Sequence, residues 1–74
     1  MRRSEFAALA DHVFGPALAR TYTHDLVLEE VGGLTAADAL EHGVAVREVW
    51  NALCDAMDIP ESARWEIPAE QRRR

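Results

Sequence analysis

Residues 46–57, Val46-Arg47-Glu48-Val49-Trp50-Asn51-Ala52-Leu53-Cys54-Asp55-Ala56-Met57, carry the strongest structural signal in the chain. Val46, Val49, Trp50, Leu53, Cys54 and Met57 fall at i, i+3, i+4, i+7, i+8 and i+11, the stripe presented by one face of an α-helix. A helix with this pattern must bury that face, so it predicts a central helix around which the remaining segments pack. Pro60 stops it, and Glu61 to Trp65 add one further turn that lays Trp65 on the core.

Upstream, Thr35 with Asp38 three residues later is a shortened capping box, and it opens a short helix that carries Ala36, Ala39 and Leu40 inward as far as Gly43. Gly32-Gly33 closes whatever precedes it, because glycine reaches the left-handed backbone region without steric cost. Ser4 is the expected cap of a first helix bearing Phe6, Leu9, Val13 and Phe14, which Gly15-Pro16 ends. Pro16 opens a second helix with Leu18 and Tyr22 inward. After Tyr22 the apolar phase slips to Leu26, Val27, Leu28 and Val31, with Thr23 as a possible new cap. Residues 16–31 are therefore either one kinked helix or two short ones. No alternating strand pattern and no internal repeat is present. The expected fold is all-α: a compact bundle of four to five short helices, with a helix-turn-helix-like pair in the C-terminal half. Residues 1–65 form a single helical domain, and 66–74 a flexible C-terminal tail.

The 74 residues leave room for one domain, and a chain of this length buries only roughly 60% of its unfolded surface. Apolar residues at 49% and charged residues at 28% suit a globular protein rather than a disordered one. No apolar run approaches the roughly 20 residues that cross a bilayer, and the single cysteine cannot form an intrachain disulfide, so a cytoplasmic protein without membrane association is expected. The net charge is −5, and five of the eight arginines lie at the ends (Arg2, Arg3, Arg72, Arg73, Arg74). Between them thirteen acids face Arg20, Arg47 and Arg64. Such a body repels phosphate backbones.

Candidate chemistry is sparse. A helix-turn-helix reading of residues 39–53 would present Arg47, Glu48, Asn51 and Asp55 to a groove, where the acids oppose phosphate. Nucleic acid is thus the weaker alternative. Cys54 lies on the apolar stripe, which makes it an inert packing residue rather than a nucleophile. Asp38 with His42, and His24 beside Asp25, are the metal-like spacings, yet neither gathers the three or four ligands of a zinc site, and His42 suits a helix C-terminus instead. The acids Asp25, Glu29 and Glu30, with Glu41, Glu48 and Asp55, would act as an acid and base only in a concave pocket, and otherwise confer solubility. No catalytic, metal-binding or cofactor-binding residue is therefore assigned.

Trp50 and Trp65 with Met57 and Ile59 amount to more large apolar surface than one small core obviously needs. The expected function is a non-enzymatic protein–protein interaction module whose partner-binding residues are Trp65, Ile59, Arg47, Glu48 and Asn51. Its partner is another protein or a second copy, giving a homodimer.

The order of motifs adds a family. Met1-Arg2-x-Ser4-Glu5-Phe6, Phe14-Gly15-Pro16, Asp25-x-Val27-Leu28 into Gly32-Gly33-x-Thr35, Ala39-Leu40-x-x-Gly43, Val49-Trp50-x-Ala52-Leu53-Cys54 and Ile59-Pro60 with Arg64-Trp65 together resemble the small actinobacterial proteins grouped as domain of unknown function 3046. The resemblance runs from Met1 to Trp65, and Arg3 stands where that family commonly has an apolar residue. It implies no assigned activity. It does imply a gene neighbourhood shared with the recombinase RecA and its regulator RecX, and hence a link to DNA recombination or repair.

Overall fold

A computed structural model describes residues 1–65; the expected tail, 66–74, lies outside the described residues. The described residues form five helices: α1 (Arg3–Phe14), α2 (Pro16–Asp25), α3 (Ala36–Glu41), α4 (Val46–Ala56) and α5 (Glu61–Arg64). Between α2 and α3 the chain forms β1 (Val27–Leu28), a 3₁₀ turn (Glu29–Val31) and β2 (Leu34–Thr35). The helical bundle and its C-terminal α3–α4 pair follow the sequence expectation.

The stripe on α4 is the centre of the molecule. Val49, Trp50, Leu53 and Cys54 are fully buried, and Val46 and Met57 pack at the edge of the same core. The Trp50 ring meets Phe6 edge-on at 5.5 Å and Phe14 at 6.1 Å, while Phe14 in turn meets Tyr22 at 5.3 Å. Edge-to-face contacts of this kind join α1, α2 and α4 through one aromatic row. Leu9 and Leu28 are buried too, and Ala10, Ala19, Ala36, Ala39 and Ala52 fill the other buried positions, where small side chains allow short helices to approach closely.

Local signals explain most boundaries. The Thr35 hydroxyl accepts the Asp38 amide at 3.2 Å, capping α3 as expected. α3 ends in a Schellman motif, with Val44 N–H donating to Ala39 O at 3.0 Å and Gly43 N–H to Leu40 O at 3.1 Å. α4 ends the same way, Ile59 N–H donating to Cys54 O at 2.9 Å, but here Asp58 occupies the left-handed position with φ 57°. Gly15 joins α1 to α2 at φ 86°, ψ 149°, a conformation open essentially to glycine alone, and Pro16 starts α2 at its first turn.

Three expectations are corrected. Ser4 does not cap α1: the helix begins at Arg3, because the Glu5 carboxylate reaches back to accept the Arg2 amide at 2.8 Å. Leu18 is not inward but 50% exposed, since the close α1–α2 contact admits Ala19 in its place. Residues 16–31 are neither a kinked helix nor two α-helices. α2 ends at Asp25, with Thr23 inside it, and Val27 and Leu28 then pair antiparallel with Thr35 and Leu34. Gly32, at φ 82°, turns the chain between them. A two-residue strand is too short to show alternation, which is why the apolar slip was legible and its cause was not.

Candidate functional site

Two flanks of α4 remain after its core face is buried, and the chain treats them differently. α5 covers the first. A four-residue helix cannot hold itself in water, and its stability comes from Arg64, whose side chain is only 11% exposed. Arg64 Nε–H donates to Ile59 O at 2.9 Å, Nη2 pairs with Asp55 Oδ1 at 2.7 Å, and Nη1 makes a longer contact of 3.4 Å with Asn51 Oδ1. The Arg64 carbonyl meanwhile accepts the indole N–H of buried Trp50 at 3.2 Å. Each donor of a rigid planar fork thus has a different acceptor, a geometry lysine cannot supply.

The five residues expected to bind a partner lie on or beside this flank. Trp65 is half-buried, its indole N–H donates to Glu61 Oε2 at 3.4 Å, and the Arg47 guanidinium carbon lies 5.2 Å from its ring centroid. Ile59 is half-buried against the core, and Asn51 receives Arg64. Glu48 is exposed one helical face away, in line with Asp55 seven residues later. The structure therefore brings Trp65, Arg47, Asn51 and Ile59 together, through contacts made within the chain. Arg64 was named in the sequence only as a body arginine and as part of a motif; its role depends on four tertiary partners that no local pattern reveals.

The second flank is open. Here α4 packs on β1 and the 3₁₀ turn, leaving a cleft of about 210 Å³. Leu28 and Ala52 are buried in its floor, Ala56 is exposed along it, and Val27 at its rim is 56% exposed, the highest value among the large apolar side chains of the described residues. Glu29, Glu30 and Asp55 supply its carboxylates. Glu30 and Asp55 both line this cleft, where a proton on one carboxyl can serve as a hydrogen-bond donor to the other. That bond to Asp55, with some burial and the like charge, raises the Glu30 pKa. The Arg64 pairing, followed by the Glu30 contact, lowers that of Asp55. Two carboxylates pushed apart in this way resemble an acid–base pair, but the remaining lining groups are Val27, Leu28, Glu29, Ala52 and Ala56, which add one more carboxylate and no hydroxyl, thiol, imidazole or cationic side chain.

The other candidates are quieter. Cys54 is fully buried, and desolvation pushes its thiol up to about 11, so the reactive thiolate is suppressed at neutral pH. The His42 Nδ1 faces the Asp38 carbonyl at 2.8 Å, closing the end of α3 as anticipated for this residue. Among the described residues no group of three or more His, Cys, Asp or Glu side chains is placed to hold a metal ion. A groove of about 270 Å³ between α1 and α2 has Asp11 on its edge together with Arg20 and His24, a mixture of signs without a focus. Arg3, in a position the family resemblance marks as apolar, donates to Leu40 O at 2.7 Å and so ties α1 to the end of α3.

No helix among the described residues is long and apolar enough to cross a membrane. No curated protein and no solved structure matches the chain. The family model described as "Protein of unknown function (DUF3046)" matches residues 1–62. With the five helices and both flanks of α4 within or next to that span, the chain belongs to the DUF3046 family.

Proposed function

We propose that this domain is a non-enzymatic protein-interaction module of the cytoplasm, and that it docks its partner on the flank of α4 that faces β1 and the 3₁₀ turn. The observation that carries this reading is the pairing of an exposed apolar rim at Val27 on β1 with carboxylates from the 3₁₀ turn and α4, all lining one cleft beside the central helix. Interfaces combine an apolar centre with a polar rim in the same manner. The Trp65 side serves as support: Arg47, Asn51 and Asp55 are engaged by Trp65 and Arg64, which also weighs against their reading base edges in a DNA groove. A second copy would bring its own Glu29, Glu30 and Asp55 to the same place, so the charge favours a different, basic partner over a homodimer. The recombination-gene neighbourhood implied by the family resemblance puts proteins of that process among the first partners to test.

Co-purification of the tagged full chain from its own cells tests the proposal, comparing wild type with Val27→Asp and Trp65→Ala. The partner is retained by wild type and Trp65→Ala and lost with Val27→Asp. Retention by Val27→Asp, with the domain still folded by circular dichroism, would overturn it.

A further inference from the structure

We infer that the cleft between α4 and the Val27–Glu30 segment is a receptor for a single arginine side chain projecting from a partner protein, with the guanidinium held between Glu30 and Asp55 and the aliphatic stem laid along Val27, Leu28 and Ala56. This inference rests on the docking role proposed above and names the chemistry of the docked group.

The cleft has the two halves that arginine itself has. Its floor and rim are apolar, and an arginine stem covers apolar surface while its head stays polar. Its lining holds two carboxyls, Glu30 from the 3₁₀ turn and Asp55 from α4, an arrangement that costs energy when both are charged and that a cation between them relieves. A planar fork of donors satisfies two carboxylates at once, whereas an ammonium acts as a point charge. The molecule already contains a working instance: on the neighbouring flank, Arg64 approaches the same Asp55 through Oδ1 at 2.7 Å while the base of its fork is held by the Ile59 carbonyl. Asp55 stands on the ridge between the flanks, so one side of it is served by the chain's own guanidinium and the other side faces the cleft with Glu30. Phosphate groups and a second acidic copy are both disfavoured by that charge. An arginine-bearing partner segment is the occupant that the apolar floor and the charge jointly select.

The probe is the blocked pentapeptide acetyl-Ala-Leu-Arg-Leu-Ala-amide, titrated into the ¹⁵N-labelled full chain at low salt beside its citrulline counterpart, which keeps the shape and removes the charge. The expected result is a saturable shift of the backbone amides of residues 27–30, 52, 55 and 56 with the arginine peptide alone. Glu30→Gln weakens it by about two- to fivefold, the loss of one exposed charge-assisted contact. Replacement of arginine by lysine in the peptide also weakens it. Equal shifts with citrulline would overturn the inference, reducing the cleft to an apolar groove. Because the chain carries its own Arg72, Arg73 and Arg74, the titration is repeated on the variant with all three changed to Gln. Shifts that appear only in that variant would also overturn it, by assigning the cleft to the chain's own tail, as would no shift in either protein. Failure here with Val27-dependent co-purification intact would leave the docking module standing and remove only its arginine. Co-purification that ignores Val27→Asp would remove the module itself.

Discussion

The two flanks of α4 start from similar material and end differently. Each sets apolar side chains beside acids, and each leans on Asp55. On the α5 side the chain supplies a cation, Arg64, and the flank closes around it with Trp65 stacked under Arg47. On the β1 side the carboxylates Glu29 and Glu30 stand beside exposed Val27, no arginine among the described residues lines the cleft, and Glu30 shares it with Asp55 instead. A fold this small has few side chains with which to cover a surface. The flank it completes is structure, and the one it leaves open is the one proposed above to take a partner.

The largest effect should come from the element both flanks share. Trp50→Ala removes a fully buried ring packed on Phe6 and Phe14, a loss of about 3–5 kcal/mol. Against a total stability on the order of 5 kcal/mol for a small domain, urea denaturation followed by circular dichroism should find the variant largely unfolded. A cooperative transition near that of wild type would break the claim that α4 organises the fold.

Arg64→Ala should separate the flanks. α5 loses its contacts to Ile59, Asn51 and Asp55, so amides 59–65 exchange faster and Trp65 emission moves to the red, while α4 stays protected. Arg64→Lys should not restore the protection, because an ammonium cannot reach the three acceptors together. Unchanged exchange in α5 would mean that Trp65 alone closes that flank.

Asp58→Gly tests how the chain leaves α4 toward the closed flank. Asp58 holds φ 57° where its counterpart at the end of α3 is Gly43, so glycine should raise stability by up to about 1 kcal/mol in thermal melts. A loss would show that the Asp58 side chain contributes more than its backbone costs.

The smallest effect is on charge, and its sign differs between the flanks. Asp55 has a lowered pKa, so its stabilisation is complete above the ordinary value of 3.8 and is lost as pH falls through the folded value. Glu30 has a raised pKa, so the relief that its proton brings is present below 4.5 and is lost as pH rises through the folded value. Glu30→Gln should therefore leave melting unchanged or slightly improved at neutral pH, with the difference vanishing below pH 4.5. A destabilised variant at neutral pH would show that Glu30 supports the fold rather than straining it.

The helix stripe of 46–57, the Thr35 cap and the turn at Gly32 were legible in the sequence because each depends on neighbours within four residues. Leu18 and Val27 were not, because which apolar residue stays outside depends on how closely α1 approaches α2 and on a strand pair only two residues long. The candidate site divides in the same way. Trp65 stood out by its type, but the Arg47 that covers it and the Arg64 that anchors its helix are tertiary facts. Glu30 and Asp55 each belong to a visible run of acids, and only the fold, packing the 3₁₀ turn on α4, sets them side by side.

The most direct test compares the flanks in one experiment: a photo-crosslinking residue placed at position 27 on the open flank or at exposed position 62 on α5, in the full chain within its own cells. The account predicts a discrete partner adduct from position 27, abolished by Glu30→Arg in the same chain, and none from position 62. An adduct from position 62 that ignores Glu30→Arg, with position 27 silent, would contradict it.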